Sequence, residues 1–166
     1  AIQKKILLIN AESENELKMI QKIAYKKKKK IDVGLRLNPN IDAKTLRKIS
    51  TGRNEDKIGI SDKSFVKLLK KFYNSKNINI KCLSVHIGSQ ILDYRPYSKM
   101  VSVIDNIIKK TKYKFDYIDL GGGMGIDYHS NSKKLDYKKY SLVIKNFLKK
   151  HKVKIIFEPG RSIIGN

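Results

Sequence analysis

Three short clusters in this chain combine residue types that hold a charged, phosphate-bearing ligand. Glu158-Pro159-Gly160-Arg161 closes the apolar run Lys154-Ile155-Ile156-Phe157, so a carboxylate, a rigid turn, a glycine and a guanidinium sit together where a buried strand ends. Gly121-Gly122-Gly123-Met124-Gly125 follows the apolar run Tyr117-Ile118-Asp119-Leu120. Glycines there let the backbone approach an anion and point N–H groups at it. His86-Ile87-Gly88-Ser89-Gln90 follows Ser84-Val85 and adds an imidazole, a pliable backbone and a hydroxyl donor. At Glu158 two readings stand side by side. One is a surface carboxylate, or an internal partner for Arg161. The other is a carboxylate aimed at a protonated ring nitrogen, with Gly160 and Arg161 holding anionic groups.

Several familiar chemistries do not fit. From Gly121 the sixth position is Ile126 and from Gly123 it is Tyr128, so the dinucleotide-binding glycine spacing fails both ways. No Gly-Lys-Ser/Thr follows the glycines, which excludes a P-loop. His86, His129 and His151 fall on a strand end, a loop and a helix end without zinc-like spacing, so no metal site is expected. Ser89 lacks the setting of a nucleophile elbow, and Cys82 reads as a core residue of its strand.

The elements that position these clusters alternate. Residues 5 to 10 read as a buried strand, and Ser13 with Glu16 three residues on reads as a capping box opening a helix through about residue 29. Residues 31 to 37 form a strand stopped by Asn38-Pro39. A long polar loop containing Ser50-Thr51-Gly52 leads to a short strand, Ile58-Gly59-Ile60, and a helix from about 62 to 74 with Phe65, Leu68, Leu69 and Phe72 on one face. Strand 78–87, helix 96–111, strand 115–120, helix 137–150 and strand 153–157 complete the chain. Alternation of this kind implies a parallel α/β sheet. Six strands suit either an open doubly wound sheet or part of a (β/α)₈ TIM-type barrel. Asn10, Arg36, Asn38, His86, Ser89, Gly121 to Gly123, Glu158 and Arg161 all lie at or just past strand C-termini. A barrel delivers every strand end to one mouth, whereas an open sheet concentrates its site at one switch point. The partial barrel, about six of eight strands, is therefore expected. No low-complexity linker divides residues 1–166, so they read as one domain.

The formal net charge of +22 raises a nucleic-acid reading. Only five of the 37 basic residues are arginine, and the lysines spread along the whole chain. A nucleic-acid surface calls for more arginine and interleaved aromatics. The run Lys26 to Lys30 reads instead as a helix C-terminus, where cations meet the negative end of the macrodipole. Neither a nucleic-acid nor a membrane partner is expected, because no apolar run approaches the ~20 residues of a bilayer span. With one cysteine, an internal disulfide framework is excluded and a reducing, cytoplasmic setting is expected.

Taken in order, Asn10-Ala11-Glu12-Ser13-Glu14, Arg36-Leu37-Asn38-Pro39, Ser50-Thr51-Gly52, Lys57-Ile58-Gly59-Ile60, His86 to Gln90, Gly121 to Gly125 and Glu158 to Arg161 resemble the barrel domain of fold-type III pyridoxal-phosphate decarboxylases. His-Ile-Gly-Ser-Gln with Ser-Thr-Gly is more similar to the branch acting on diaminopimelate than to the ornithine or arginine branches. The resemblance implies pyridoxal 5'-phosphate as cofactor. His86 would stack on its ring. Ser89, Gly123 and Gly160 would bind its phosphate, with Gly122 and Pro159 in the same cradle. Glu158 would pair with the pyridine nitrogen. Arg161 would serve the phosphate or a substrate carboxylate, and Arg36 would support the site from behind. The implied reaction is loss of CO₂ from the D-centre of meso-diaminopimelate, giving L-lysine, in a homodimer with a shared site. The family's Schiff-base lysine lies upstream of anything in this chain. Its C-terminal β domain, with the cysteine and tyrosine that complete the site, is also not represented, and Cys82 does not match that cysteine. The chain thus reads as an internal part of an enzyme, inactive by itself. Other amino-acid decarboxylases of this fold (arginine, ornithine or carboxynorspermidine) and a non-catalytic binding or regulatory protein on the same barrel remain as alternatives.

Overall fold

In a computed structural model, which describes residues 1–4, 6–43, 51–52, 58–128 and 134–165, the strands run β1 Ile9–Ala11, β2 Ile31–Arg36, β3 Ile78–Ser84, β4 Tyr117–Asp119 and β5 Lys154–Ile156. Ser50, Lys57 and His129, named above, lie outside those residues. The helices are α1 Glu14–Lys26, α2 Asp62–Phe72, α3 Tyr94–Thr111, α4 Tyr137–Leu148 and a single turn, α5 Arg161–Ile164. The strands form one sheet in chain order β1-β2-β3-β4-β5, every adjacent pair parallel. No reversal of order marks a switch point among the described strands.

Local chemistry explains the helix starts. Ser13 caps α1 by accepting the Glu16 N–H at 3.2 Å. The expected reciprocal arm is displaced by one residue: the Glu16 carboxylate takes the N–H of Glu12, not of Ser13. Asp93 and Asp136 cap α3 and α4 by accepting the N–H of Arg95 and Lys139, each at 2.9 Å. Such caps satisfy amides that have no partner within the helix.

Two expectations change. Ile58-Gly59-Ile60 supplies a lone parallel bridge, Leu37 to Ile60, in place of a sixth strand. Gly59 takes φ +80, which breaks the extended run. The first strand starts at Ile9, and Ile6 and Leu7 are exposed. β1 is an edge of the described sheet, with a neighbour on one side only.

The sheet has two unlike faces. Successive strand residues point to opposite faces. Leu35, Leu83, Ile118 and Ile155 lie in register across β2 to β5 and pack with Phe65, Leu69, Tyr97, Met100, Ile104, Tyr140 and Phe147 in one apolar cluster. The irregularity at Val33/Gly34 keeps both Ile80 and Leu83 on that face. Asn10, Gly34 and Cys82 are aligned on the other face, as are Arg36, Ser84, Asp119 and Ile156 one level higher. None of these joins the apolar cluster. Helices therefore cover one side of the sheet, and polar side chains furnish the other.

Candidate functional site

Parallel strands put all their C-terminal ends on one rim, and the three glycine-bearing clusters meet there. The loop after β4 is wedged between the loops after β3 and β5. The Glu158 N–H donates to the Gly121 carbonyl at 2.8 Å. A side chain at Gly122 would collide with the carbonyl oxygen of Glu158, and one at Gly123 with that of Gly88. The loops continue the sheet beyond its strands. Ile91 N donates to Gly123 O at 2.9 Å, and Gly125 N to Ile91 O at 3.0 Å. Gln90 clasps Ile126 through both amide atoms, accepting from its N–H and donating to its carbonyl. Thr51 hydroxyl donates to the His86 carbonyl at 3.1 Å, which ties Thr51 to the same place across 35 residues of sequence. Behind the glycines, the buried Tyr97 hydroxyl donates to the Gly122 carbonyl at 3.1 Å.

This packing revises the reading of the glycines. Gly121 and Gly123 have φ +62 and +87, and Gly122 has no room for a β-carbon. Three loop backbones in contact thus account for three consecutive glycines before any ligand is considered. Gly160 differs: a β-carbon there would meet nothing within 4 Å. The Ser89 hydroxyl is half-buried with no hydrogen-bond partner among the described residues. A free hydroxyl and an open-faced glycine backbone, beside loops that already touch, fit the donor set a phosphate group requires.

The electrostatics centre on four side chains. His86 accepts the Gly122 N–H at Nδ1, 3.3 Å away. A neutral imidazole that accepts at Nδ1 carries its proton on Nε2. Burial, aided by the Arg36 guanidinium, lowers its pKa against the opposing charges of Asp119 and Glu12. Arg36 ion-pairs with Glu12. Glu158 remains solvent-exposed along its side chain, yet partial burial first and the Asp119 charge second raise its pKa, with Arg36 opposing. Arg161 does not pair with Glu158: its Nη1 donates to the Tyr128 hydroxyl at 2.8 Å, and its guanidinium lies 5.8 Å over that ring. Pro159 lies against Gly122, its Cα 3.8 Å from where a β-carbon would be.

Sequence reasoning passed over Asp119, treating it as one residue of a strand. It is 1% exposed and accepts three hydrogen bonds: from Asn10 Nδ2 at 2.8 Å, Ser84 Oγ at 3.1 Å and Gly121 N at 2.9 Å. The signal was present, since an aspartate two residues before a glycine is the pattern of an Asx turn. Cys82 is buried as expected, but on the polar face beneath the site. Burial, then the charge of Asp119, pushes its thiol up to about 12.

Residues 1–165 match the family model described as the pyridoxal-binding domain of pyridoxal-dependent decarboxylases. The chain belongs to this family. Its sequence is 38% identical to the diaminopimelate decarboxylase of Aquifex aeolicus and 37% identical to that of Helicobacter pylori, over 100% and 99% of this chain. It spans only 40% and 41% of those relatives, about two fifths of their length. Among solved structures, the Helicobacter pylori diaminopimelate decarboxylase complexed with L-lysine superposes with a TM-score of 0.88 at 35% identity, covering 98% of this chain and 42% of that one. The M. jannaschii diaminopimelate decarboxylase in complex with L-lysine gives 0.83 at 29% identity, covering 98% and 40%. As a member of the pyridoxal-binding domain family, the chain takes pyridoxal phosphate as its cofactor. Among the described residues no helix is long and apolar enough to cross a membrane.

Proposed function

We propose that this chain is part of a decarboxylase that removes CO₂ from the D-centre of meso-diaminopimelate to give L-lysine. The observation that carries the reading is the convergence of the loops after β3, β4 and β5, which brings His86, the glycine turn and Glu158 onto one rim of the polar sheet face. The curated relatives at 37–38% identity supply the substrate class. Sequential parallel strands with helices on one side support a barrel arc, residues 1–166 being part of one barrel domain whose polar face is its interior.

Bound pyridoxal phosphate supplies an electron sink for the charge left at Cα when carbon dioxide departs. The chain's own residues would do the rest. Ser89, Gly123 and Gly160 would bind the phosphate, with Gly122 and Pro159 shaping that end of the cradle. Neutral His86 would present its flat ring to the cofactor. Glu158, whose affinity for a proton burial and Asp119 enhance, would hold a proton at the ring nitrogen. Arg161, steadied on Tyr128, would meet the phosphate or a substrate carboxylate. Arg36, paired with Glu12, would shape the field felt by His86 and Glu158. The covalent anchor lysine would come from protein outside residues 1–166. The enzyme would act in the cytoplasm as a homodimer on a small amino acid, without nucleic-acid or membrane partners.

The test uses the full-length protein with purified pyridoxal phosphate and a panel of meso-diaminopimelate, arginine, ornithine and carboxynorspermidine. CO₂ release from meso-diaminopimelate alone is the expected result, and turnover of another member instead would overturn the substrate assignment. Glu158→Gln should retain cofactor absorbance but lose turnover by about 10²-fold or more, the scale for removing one electrostatic contributor. Undiminished turnover would remove Glu158 from the chemistry.

A further inference from the structure

Asp119 is the only buried acid among the described residues, and no cation among them is bonded to it. Its three donors come from three places: the end of β1, the end of β3 and the first glycine of its own loop. Burying a carboxylate without a cation is costly, and an arrangement of that kind at a rim of chemistry-bearing residues points to a role beyond packing. The contacts continue past Asp119. Its Oδ1 accepts from Gly121, closing a tight turn in which Gly121 takes φ +62. That turn leads directly to Gly122, whose N–H meets His86 Nδ1. There is no slack in the path, because a β-carbon on Gly121 would sit 2.7 Å from the same nitrogen. Oδ2 holds Asn10, whose amide oxygen fills the notch left by Gly34.

We propose that Asp119 is a positioning residue: by closing the turn at Gly121 it holds the Gly122 N–H against Nδ1 of His86 and so fixes that ring's plane and tautomer. With Nδ1 occupied as an acceptor, the imidazole keeps its proton on Nε2 and presents one invariant face to a ligand. The Asp119 charge acts on a second group. Gly121, which donates its N–H to Asp119 at 2.9 Å, accepts the Glu158 N–H on its carbonyl at 2.8 Å, so one residue bridges the two acids. The Asp119 charge strengthens the Glu158 carboxylate's hold on a proton, while the Arg36 guanidinium, paired with Glu12, opposes it. One buried anion thereby couples the ring-facing and nitrogen-facing sides of the site. The role of these groups toward a cofactor rests on the pyridoxal-phosphate reading; their coupling to one another does not.

Two variants of the full-length protein separate the effects. Asp119→Ala removes the turn acceptor, whereas Asp119→Asn keeps an acceptor for Gly121 and removes the charge. Nitrogen-15 spectra without added cofactor, with His86 assigned by its absence in His86→Gln, should show a single Nε2–H tautomer in wild type and in Asp119→Asn. Asp119→Ala should show both tautomers while still unfolding cooperatively. Carbon-13 titration of the glutamates should show Glu158 losing its proton at lower pH in Asp119→Asn than in wild type. A His86 tautomer unchanged in Asp119→Ala overturns the positioning role. If that variant does not fold, the Asn variant decides: both His86 tautomers there, with the turn acceptor kept, overturn the positioning role, and an unmoved Glu158 titration overturns the coupling. Pyridoxal-phosphate affinity, expected to fall at least tenfold in Asp119→Ala, is read separately. Altered spectra in a protein that never binds the cofactor would refute the pyridoxal reading and leave Asp119's role standing. Normal cofactor binding with unaltered spectra would do the reverse.

Discussion

The glycines of the site are not interchangeable, and their differences are measurable one residue at a time. Gly122 has no space, because its missing β-carbon position is taken by the Glu158 carbonyl. Gly122→Ala should push the loops after β4 and β5 apart and destabilise the full-length protein by about 1–3 kcal/mol, the usual cost of overpacking. Gly160 has φ −103 and open space. Gly160→Ala should therefore change stability by less than about 0.5 kcal/mol, as for a surface substitution. Urea denaturation of both variants checks the pair, and equal costs would refute the close-approach argument. The residue types of this site were legible in the sequence. Their reasons were not. Three glycines in a row suggested an anion, whereas two of them are required by φ and all three by neighbouring backbone or imidazole. Contacts between loops dozens of residues apart leave no local pattern to read.

At the scale of elements, helices were the most legible parts, since apolar spacing and caps are local. The strands were legible as runs, but their faces were not. α3 illustrates the packing those runs produce. Met100 is fully buried in the apolar cluster, so Met100→Ala should cost about 2–5 kcal/mol. α3 is also joined to the turn after α4 by Asp105, whose Oδ1 lies 2.7 Å from His151 Nε2 and whose Oδ2 lies 2.7 Å from Lys109 Nζ. Lys109 first, and His151 after it, hold the Asp105 carboxyl below its ordinary range against the effect of burial. A depressed folded-state pKa contributes stability above the unfolded value, about 4 for aspartate, and loses it as pH falls through the folded value. Asp105→Asn should thus be less stable than wild type above about pH 5, with the gap closing below about pH 4. Chemical denaturation across that range tests it, and a gap that persists unchanged at low pH would show that the carboxylate's charge is not the cause.

For the whole molecule, the net charge of +22 is arranged by the fold and not only by composition. Lys27 to Lys30 precede β2, Lys112 and Lys114 precede β4, and Lys149, Lys150 and Lys152 precede β5. These connections lie at the N-terminal ends of the strands, opposite the rim that carries His86 and Glu158. So much like charge destabilises a compact state by self-repulsion. Raising ionic strength from about 0.01 M to about 0.15 M shortens the screening length from roughly 30 Å to roughly 8 Å and should raise the thermal midpoint. A falling midpoint would mean that the surface ion pairs outweigh the repulsion. The sequence alone determined the alternation of strands and helices, the parallel sheet, and the family to which the three rim clusters belong, because periodicity, capping and motif order are written in neighbouring residues. Tertiary structure alone decided that the short segment at Ile58 is a bridge and not a strand, that polar side chains share one sheet face, and that Asp119 ties Asn10, Ser84 and the glycine turn together. Those outcomes depend on register and on contacts across up to 109 residues of separation, for which a linear chain carries no local signature.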